Sequence, residues 1–278
     1  MNSFLKRKAF PLLGAMCAAA AALPAAPAHA QGDLLVAPTR VILDGRRGTE
    51  VILSNIGQEE ATYRISLELR RMNEDGSLTP VEREQANALE EAALGMIRYA
   101  PRRITLPPGQ PQAVRIGARP GAELADGEYR VHMSFRAVPK PRRVTEQASQ
   151  ADGIQIRLIP VYGVTIPIIV RHGRLEAQVA IENPRVDTDA EGRKLVFGLQ
   201  RNGESSTYGE LRVIRQGEDT PAYVARGIAV YSEIDSRSVE LRLTDEQAAA
   251  LTGPVRVEYR EMPENGGELI ASVETVFG

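Results

Sequence analysis

Between Gln155 and Arg171 apolar side chains fall on alternate positions for far longer than an ordinary strand requires. Ile154, Ile156, Leu158, Pro160, Tyr162, Val164, Ile166, Ile168 and Val170 share one parity. Gln155, Arg157, Thr165 and Arg171 share the other, with Ile159, Val161 and Ile169 mixed among them. Period-2 patterning predicts a β-strand with unlike faces. Strands usually run about five or six residues, so one domain core cannot cover this whole edge. A second sheet or another protein must cover the remainder.

Shorter alternating segments recur along the rest of the chain, separated by turn residues. Leu34 to Leu43 predicts a first strand in which Pro38 marks an edge or a change of sheet. Glu50 to Ser54 predicts a second. Ala61, Tyr63, Ile65, Leu67 and Leu69 alternate with polar neighbours and predict a half-buried third. Val81 to Ala93 holds either a short helix or a solvated excursion. Arg103 to Leu106 and Ala113 to Ile116 flank the turn Pro107-Pro108-Gly109. Tyr129, Val131, Met133, Phe135 and Ala137 place one apolar face on a further strand, with Arg130, His132, Ser134 and Arg136 opposite. Lys140 to Gly153 is rich in Pro, Ser, Gln and charge and predicts a loop.

Arg171-His172-Gly173 breaks the pattern and marks a domain boundary. Beyond it, Leu175–Ile181, Leu195–Gln200, Leu211–Arg215, Tyr223–Val230, Val239–Leu243, Val255–Glu261 and Ile270–Phe277 are candidate strands. Thr244 and Gln247 have capping-box spacing. Many short strands between turns, with no fixed-period repeat, predict an all-β fold of sandwich domains.

The first thirty residues change the picture of where the fold begins. A basic start through Lys8, an apolar run from Ala9 to Leu23 and the small-x-small site Ala28-His29-Ala30 predict a secretory signal peptide cleaved before Gln31. The apolar run is too short to span a bilayer, and no later segment predicts membrane insertion after cleavage. Cleavage removes Cys17, the one cysteine, and leaves 31 basic against 36 acidic residues, a net charge of −5. The exported chain therefore predicts a soluble protein whose stability rests on its core. No basic field favours nucleic acid.

Candidate chemistry is sparse. His132 and His172 are the histidines left after cleavage, forty residues apart and without a metal-ligand spacing. No nucleophile elbow, P-loop or dinucleotide fingerprint is present. The expected protein has no metal, no cofactor and no catalytic residues. A secreted carbohydrate-binding or carbohydrate-active sandwich is the alternative, on fold style and abundant carboxylates. The lack of tryptophan counts against it.

Three segments resemble the PapD-like periplasmic chaperones of pilus assembly. Ala37-Pro38-Thr39-Arg40-Val41-Ile42 is similar to the family's first strand. Ile104 through Ile116, with its Pro-Pro-Gly turn, is similar to a strand–turn–strand unit. Asp126-Gly127-Glu128-Tyr129-Arg130, with Phe135-Arg136-Ala137-Val138-Pro139 after it, is similar to an acidic loop and the strand that follows. The resemblance implies two immunoglobulin-like β-sandwich domains, 31–172 and 173–278, set at an angle with a cleft between them. It implies residence in the periplasm, with pilin or fimbrial subunits and an outer-membrane usher as partners. The mechanism it implies is donation of a strand to an incomplete subunit. Ile154, Ile156 and Leu158 are the expected donor residues; ordinary core packing is their other reading. Arg40 is the expected anchor for the subunit's C-terminal carboxylate. The family's second cation, a lysine, aligns with Pro167, leaving Arg171 and Arg157 as other cations on the strand. Arg115 and Glu128 are the expected pair that sets the domain angle.

Overall fold

The computed structural model describes residues 34–140 and 161–278. Strands account for most of them, and they run β1 (Leu34–Ala37), β2 (Val41–Leu43), β3 (Thr49–Asn55), β4 (Ala61–Met72), β5 (Leu78–Val81), β6 (Ile97–Ala100), β7 (Arg103–Leu106), β8 (Pro111–Ala118), β9 (Gly127–Val138) and β10 (Gly163–His172) in the first sandwich. The second contains β11 (Ala177–Asp189), β12 (Gly192–Gly203), β13 (Thr207–Arg215), β14 (Tyr223–Val230), β15 (Ser236–Arg242), β16 (Gly253–Glu261) and β17 (Leu269–Phe277). Helices α1 (Ala88–Met96) and α2 (Asp245–Ala250) each begin at a reciprocal capping box, Asn87 with Glu90 and Thr244 with Gln247. The first box starts its helix later than the Val81–Ala93 window, because Asn87 satisfies the first free N–H groups.

The first sandwich stacks the sheet β1-β3-β8-β6 on the sheet β2-β10-β9-β4-β5, with β7 also on β4. Between them lie Val51, Leu53, Tyr63, Ile65, Val114, Ile116, Val131, Met133, Phe135, Ile166, Ile168 and Val170, all nearly inaccessible. The first segment does change sheets: β1 pairs β3, whereas β2 pairs β10, and Pro38 lies between them. The second sandwich stacks β11-β12-β15 on β14-β13-β16-β17 around Leu195, Phe197, Leu199, Leu211, Val213, Val257 and Tyr259. Strand β11 extends well past Ile181. Asn183, at φ 47, sits in a register shift between Glu182 and Arg185, and this bulge interrupts the alternation while pairing resumes beyond it.

A proline in the middle of β10 calls for an explanation, since an inner strand needs its N–H groups. The Ala137 N–H donates to the Tyr162 carbonyl at 2.9 Å, and the two residues lie opposite one another in the β9–β10 register. Antiparallel pairing then turns the backbone groups of Val164, Ile166 and Ile168 toward β9. Those of Gly163, Thr165 and Pro167 turn toward the opposite edge. There β2 pairs with Ile168–Val170 in parallel register. Among the described residues no strand pairs Gly163–Pro167 on that side. Pro167 therefore withholds a donor from an open edge and costs the β9 ladder nothing. Pro167→Ala is expected to leave stability within about 1 kcal/mol. Ile168→Pro deletes a ladder bond in a buried strand and lowers stability by several-fold more. Urea denaturation of the two variants checks the contrast.

Candidate functional site

Alternation places a second set of residues on the face of the β2-β10-β9-β4 sheet that points away from the first core. Arg40 lies just before β2. Ile169 and Arg171 come from β10, and Glu128, Arg130 and His132 from β9. The second sandwich covers this end of the face. Met72, Ile169, Ala229 and Tyr231 form a small buried apolar cluster where the two sandwiches meet.

Glu128 is the centre of the polar contacts there. Its side chain is 0 % exposed. Oε2 accepts from Arg171 Nε at 3.1 Å, from the Ser206 N–H at 3.0 Å and from Ser206 Oγ at 2.9 Å. Arg171 Nη2 donates onward to the Ser206 carbonyl at 2.9 Å. Arg171 and Glu128 are opposite one another in the β9–β10 register, and Ser206 belongs to the loop before β13. A carboxylate from one sandwich thus holds the backbone and hydroxyl of the other.

Arg40 sits beside this cluster. Its Nη2 donates to Ser206 Oγ at 3.1 Å, while Nε and Nη1 are buried without a hydrogen-bond partner among the described residues. The guanidinium lies 4.7 Å from the Tyr208 ring centroid and 5.5 Å from that of Tyr231. Burial pulls the Arg40 pKa below its ordinary value, opposed by Tyr231 and Glu128. A guanidinium stays charged in spite of such a shift. It is therefore a partly desolvated cation that attracts an anion, and a bond between a guanidinium and an anion is of the stronger, charge-assisted kind. A cavity of about 220 Å³ opens here, lined by Arg40, Ile42, Arg171, Ser206, Tyr208 and Glu261 among others.

The expected pair Arg115–Glu128 is not a pair. Arg115 Nε donates to Glu50 at 3.1 Å across β8 and β3, on the outer face of the other sheet, and is 84 % exposed. Val114 and Ile116 point into the core, which forces Arg115 outward, on the side of the sandwich opposite Glu128. Glu128 takes Arg171 in its place. Arg40 is at the site. Ile154, Ile156 and Leu158, with Arg157, lie outside the described residues.

No protein-family model matches this chain, and no curated protein matches it. Solved structures do resemble it at low identity. The class 5 fimbriae chaperone CfaA is 12 % identical, with 88 % of this chain and 99 % of that one covered at a TM-score of 0.44. The CsuC–CsuE chaperone–tip adhesion subunit complex from the archaic chaperone–usher Csu pili of Acinetobacter baumannii matches at 13 % identity, covering 89 % and 100 % at 0.44. The SafB chaperone with the SafA pilin of Salmonella enterica matches at 15 % identity, covering 88 % and 96 % at 0.43.

Several residues at the joint carried no signal in the sequence. Ser206 lies in a loop without a motif. Arg130 forms a two-pronged pair with Glu233, with Nη1 to Oε2 at 2.9 Å, and its Nη2 donates to the Arg70 carbonyl at 2.9 Å. Glu233 also accepts from the Met72 N–H at 2.7 Å. The Ser238 N–H of edge strand β15 donates to the Glu74 carbonyl in the β4–β5 turn at 2.7 Å. These contacts join the two sandwiches at points separate from Glu128.

Proposed function

We propose that this chain is a periplasmic chaperone that holds exported pilus subunits by strand donation and passes them to an outer-membrane usher. The observation that carries this reading is where the open edge of β10 ends. Gly163–Pro167, which no strand among the described residues pairs on that side, runs directly into the start of β2 at Val41, opposite Ile168, and Arg40 is the residue before Val41. A strand added to that edge meets β2 and must stop. A chain that stops beside a guanidinium is best stabilised when its last group is a carboxylate. The added strand then runs with its C-terminus toward Arg40, parallel to β10. Main-chain bonds along the edge supply affinity, and alternate side chains supply specificity.

In this reading residues 1–30 are removed on export, and 31–172 and 173–278 are the two domains. Ile154, Ile156 and Leu158, upstream on the same sequence parity, fill the subunit's groove. Arg171 is occupied by Glu128 and Ser206, which leaves Arg40 as the anchor. Glu128 and Arg171, with Ser206, set the domain angle.

Co-expression with an exported subunit encoded beside this chain tests the proposal. The subunit is expected to accumulate as a one-to-one complex and to be degraded alone. Arg40→Ala removes charge-assisted bonds worth about 1.5–3 kcal/mol and weakens the complex roughly ten- to hundredfold. Ile156→Asp abolishes it. A subunit equally stable without the chain, together with a complex indifferent to Ile156→Asp, sinks the reading.

A further inference from the structure

Tyr231 follows β14 in the second sandwich and is 5 % exposed. Its ring gathers three side chains from the first. The Arg130 guanidinium lies 3.7 Å from its centroid, that of Arg40 lies 5.5 Å away, and the His132 ring stands edge-on at 6.4 Å. Two guanidinium groups repel one another, and the negative face of an aromatic ring offsets that repulsion. Arg130 is fixed independently by Glu233 and the Arg70 carbonyl. Arg40 has no comparable support. Among the described residues its hydrogen bond to Ser206 Oγ leaves two buried donors unpartnered, and one bond alone fixes few of the rotamers of a long side chain. Its other restraints are the charge of Glu128 and the pair of rings, Tyr208 and Tyr231, both from the second sandwich.

We infer that Tyr231 is a positioning residue for Arg40: its ring, held in place through the Arg130–Glu233 pair, keeps the Arg40 guanidinium at the cavity so that it can receive an anion. The device makes the first sandwich's cation dependent on the seating of the second sandwich. It rests on the reading of Arg40 as a carboxylate anchor.

The test follows the Arg40 Nε–Hε signal by NMR in the full exported chain, assigned through its loss in Arg40→Lys, during titration with sodium acetate as the carboxylate probe. In the wild type the signal is expected upfield of its free position, displaced by the Tyr208 and Tyr231 rings together, and to move saturably with acetate. Tyr231→Phe keeps the ring and both properties. Tyr231→Ala returns the signal toward its free position and weakens the acetate response at least fivefold, while the amide signals of β3 and β8 stay in place. If Tyr231→Ala does not fold, Tyr231→Leu replaces it with the same expectation, since it fills space without an aromatic face. An unchanged signal and acetate response in the ring-less variant overturns the inference. A wild type that ignores acetate removes the anchor reading instead, and the signal position across the Tyr231 variants still decides whether the ring positions Arg40.

Discussion

Glu128→Ala is expected to be the most damaging single substitution at the joint, lowering stability by about 3–5 kcal/mol. The carboxylate is fully buried and accepts three hydrogen bonds, from Arg171 Nε and from the Ser206 N–H and Oγ. Assembling such a group costs desolvation that its partners only offset, so its presence says little about net stabilisation. Its removal is another matter. Two guanidinium groups, Arg40 and Arg171, then share a partly desolvated site without their nearest anion, and a backbone N–H loses its acceptor. Glu128→Gln keeps the shape and one acceptor oxygen but not the charge, and falls between alanine and wild type. Arg115→Ala, at the exposed pair with Glu50, changes stability by less than about 1 kcal/mol. Urea unfolding of the three variants orders them. Equal effects for Arg115→Ala and Glu128→Ala contradict the assignment of Glu128 to the joint.

That comparison also shows what was legible in the sequence. Alternation assigns each residue of a strand to a face with little ambiguity. Tyr129, Val131, Met133 and Phe135 read as core and are core, as are Ile166, Ile168 and Val170. The same parity puts Glu128 and Arg171 outside the core. It does not say which strand lies next to which, and a pair separated by 43 positions exists only because β9 and β10 are neighbours in one register. Arg115 is an equally charged choice by parity alone, and only the pairing of β8 with β3 puts it in the opposite sheet. The partner from the second sandwich, Ser206, is a loop residue whose role comes from its backbone position, so no pattern announces it. Tyr231 is similarly silent, because an aromatic after a strand reads as ordinary packing. In the sequence Pro167 signals only a missing charge. The register gives it a different meaning, as a residue whose missing N–H faces an edge that no strand among the described residues pairs.

Acid should weaken this protein well above the pH at which its carboxylates protonate, and His132 is the cause. The residue is 1 % exposed, and neither ring nitrogen has a hydrogen-bond partner among the described residues. It lies opposite Pro167 on β10 and Glu68 on β4, with the Tyr231 ring edge-on. Burial, followed by the charges of Arg130, Arg70 and Arg40, pushes its pKa down from 6.5 to about 3. The folded protein therefore keeps His132 neutral where the unfolded chain already binds a proton. Above the unfolded value of about 6.5 both states are neutral and nothing changes. As pH falls below it, the unfolded state takes up a proton that the folded state refuses, and stability declines by up to about 1.4 kcal/mol per pH unit until the folded value is reached. Near pH 5 the loss is about 2 kcal/mol. The carboxylates held below their ordinary range, among them Glu90 beside Arg71 and Asp189 beside Arg242, release their contribution only at lower pH, so the interval from pH 7.5 to 5 isolates His132. His132→Leu removes the titration together with two unsatisfied polar atoms. It is expected to match or exceed the wild type at pH 7.5 and to lose far less of its stability at pH 5. Urea midpoints at the two pH values, measured on both proteins, decide the matter: parallel losses would assign the acid sensitivity to some other group.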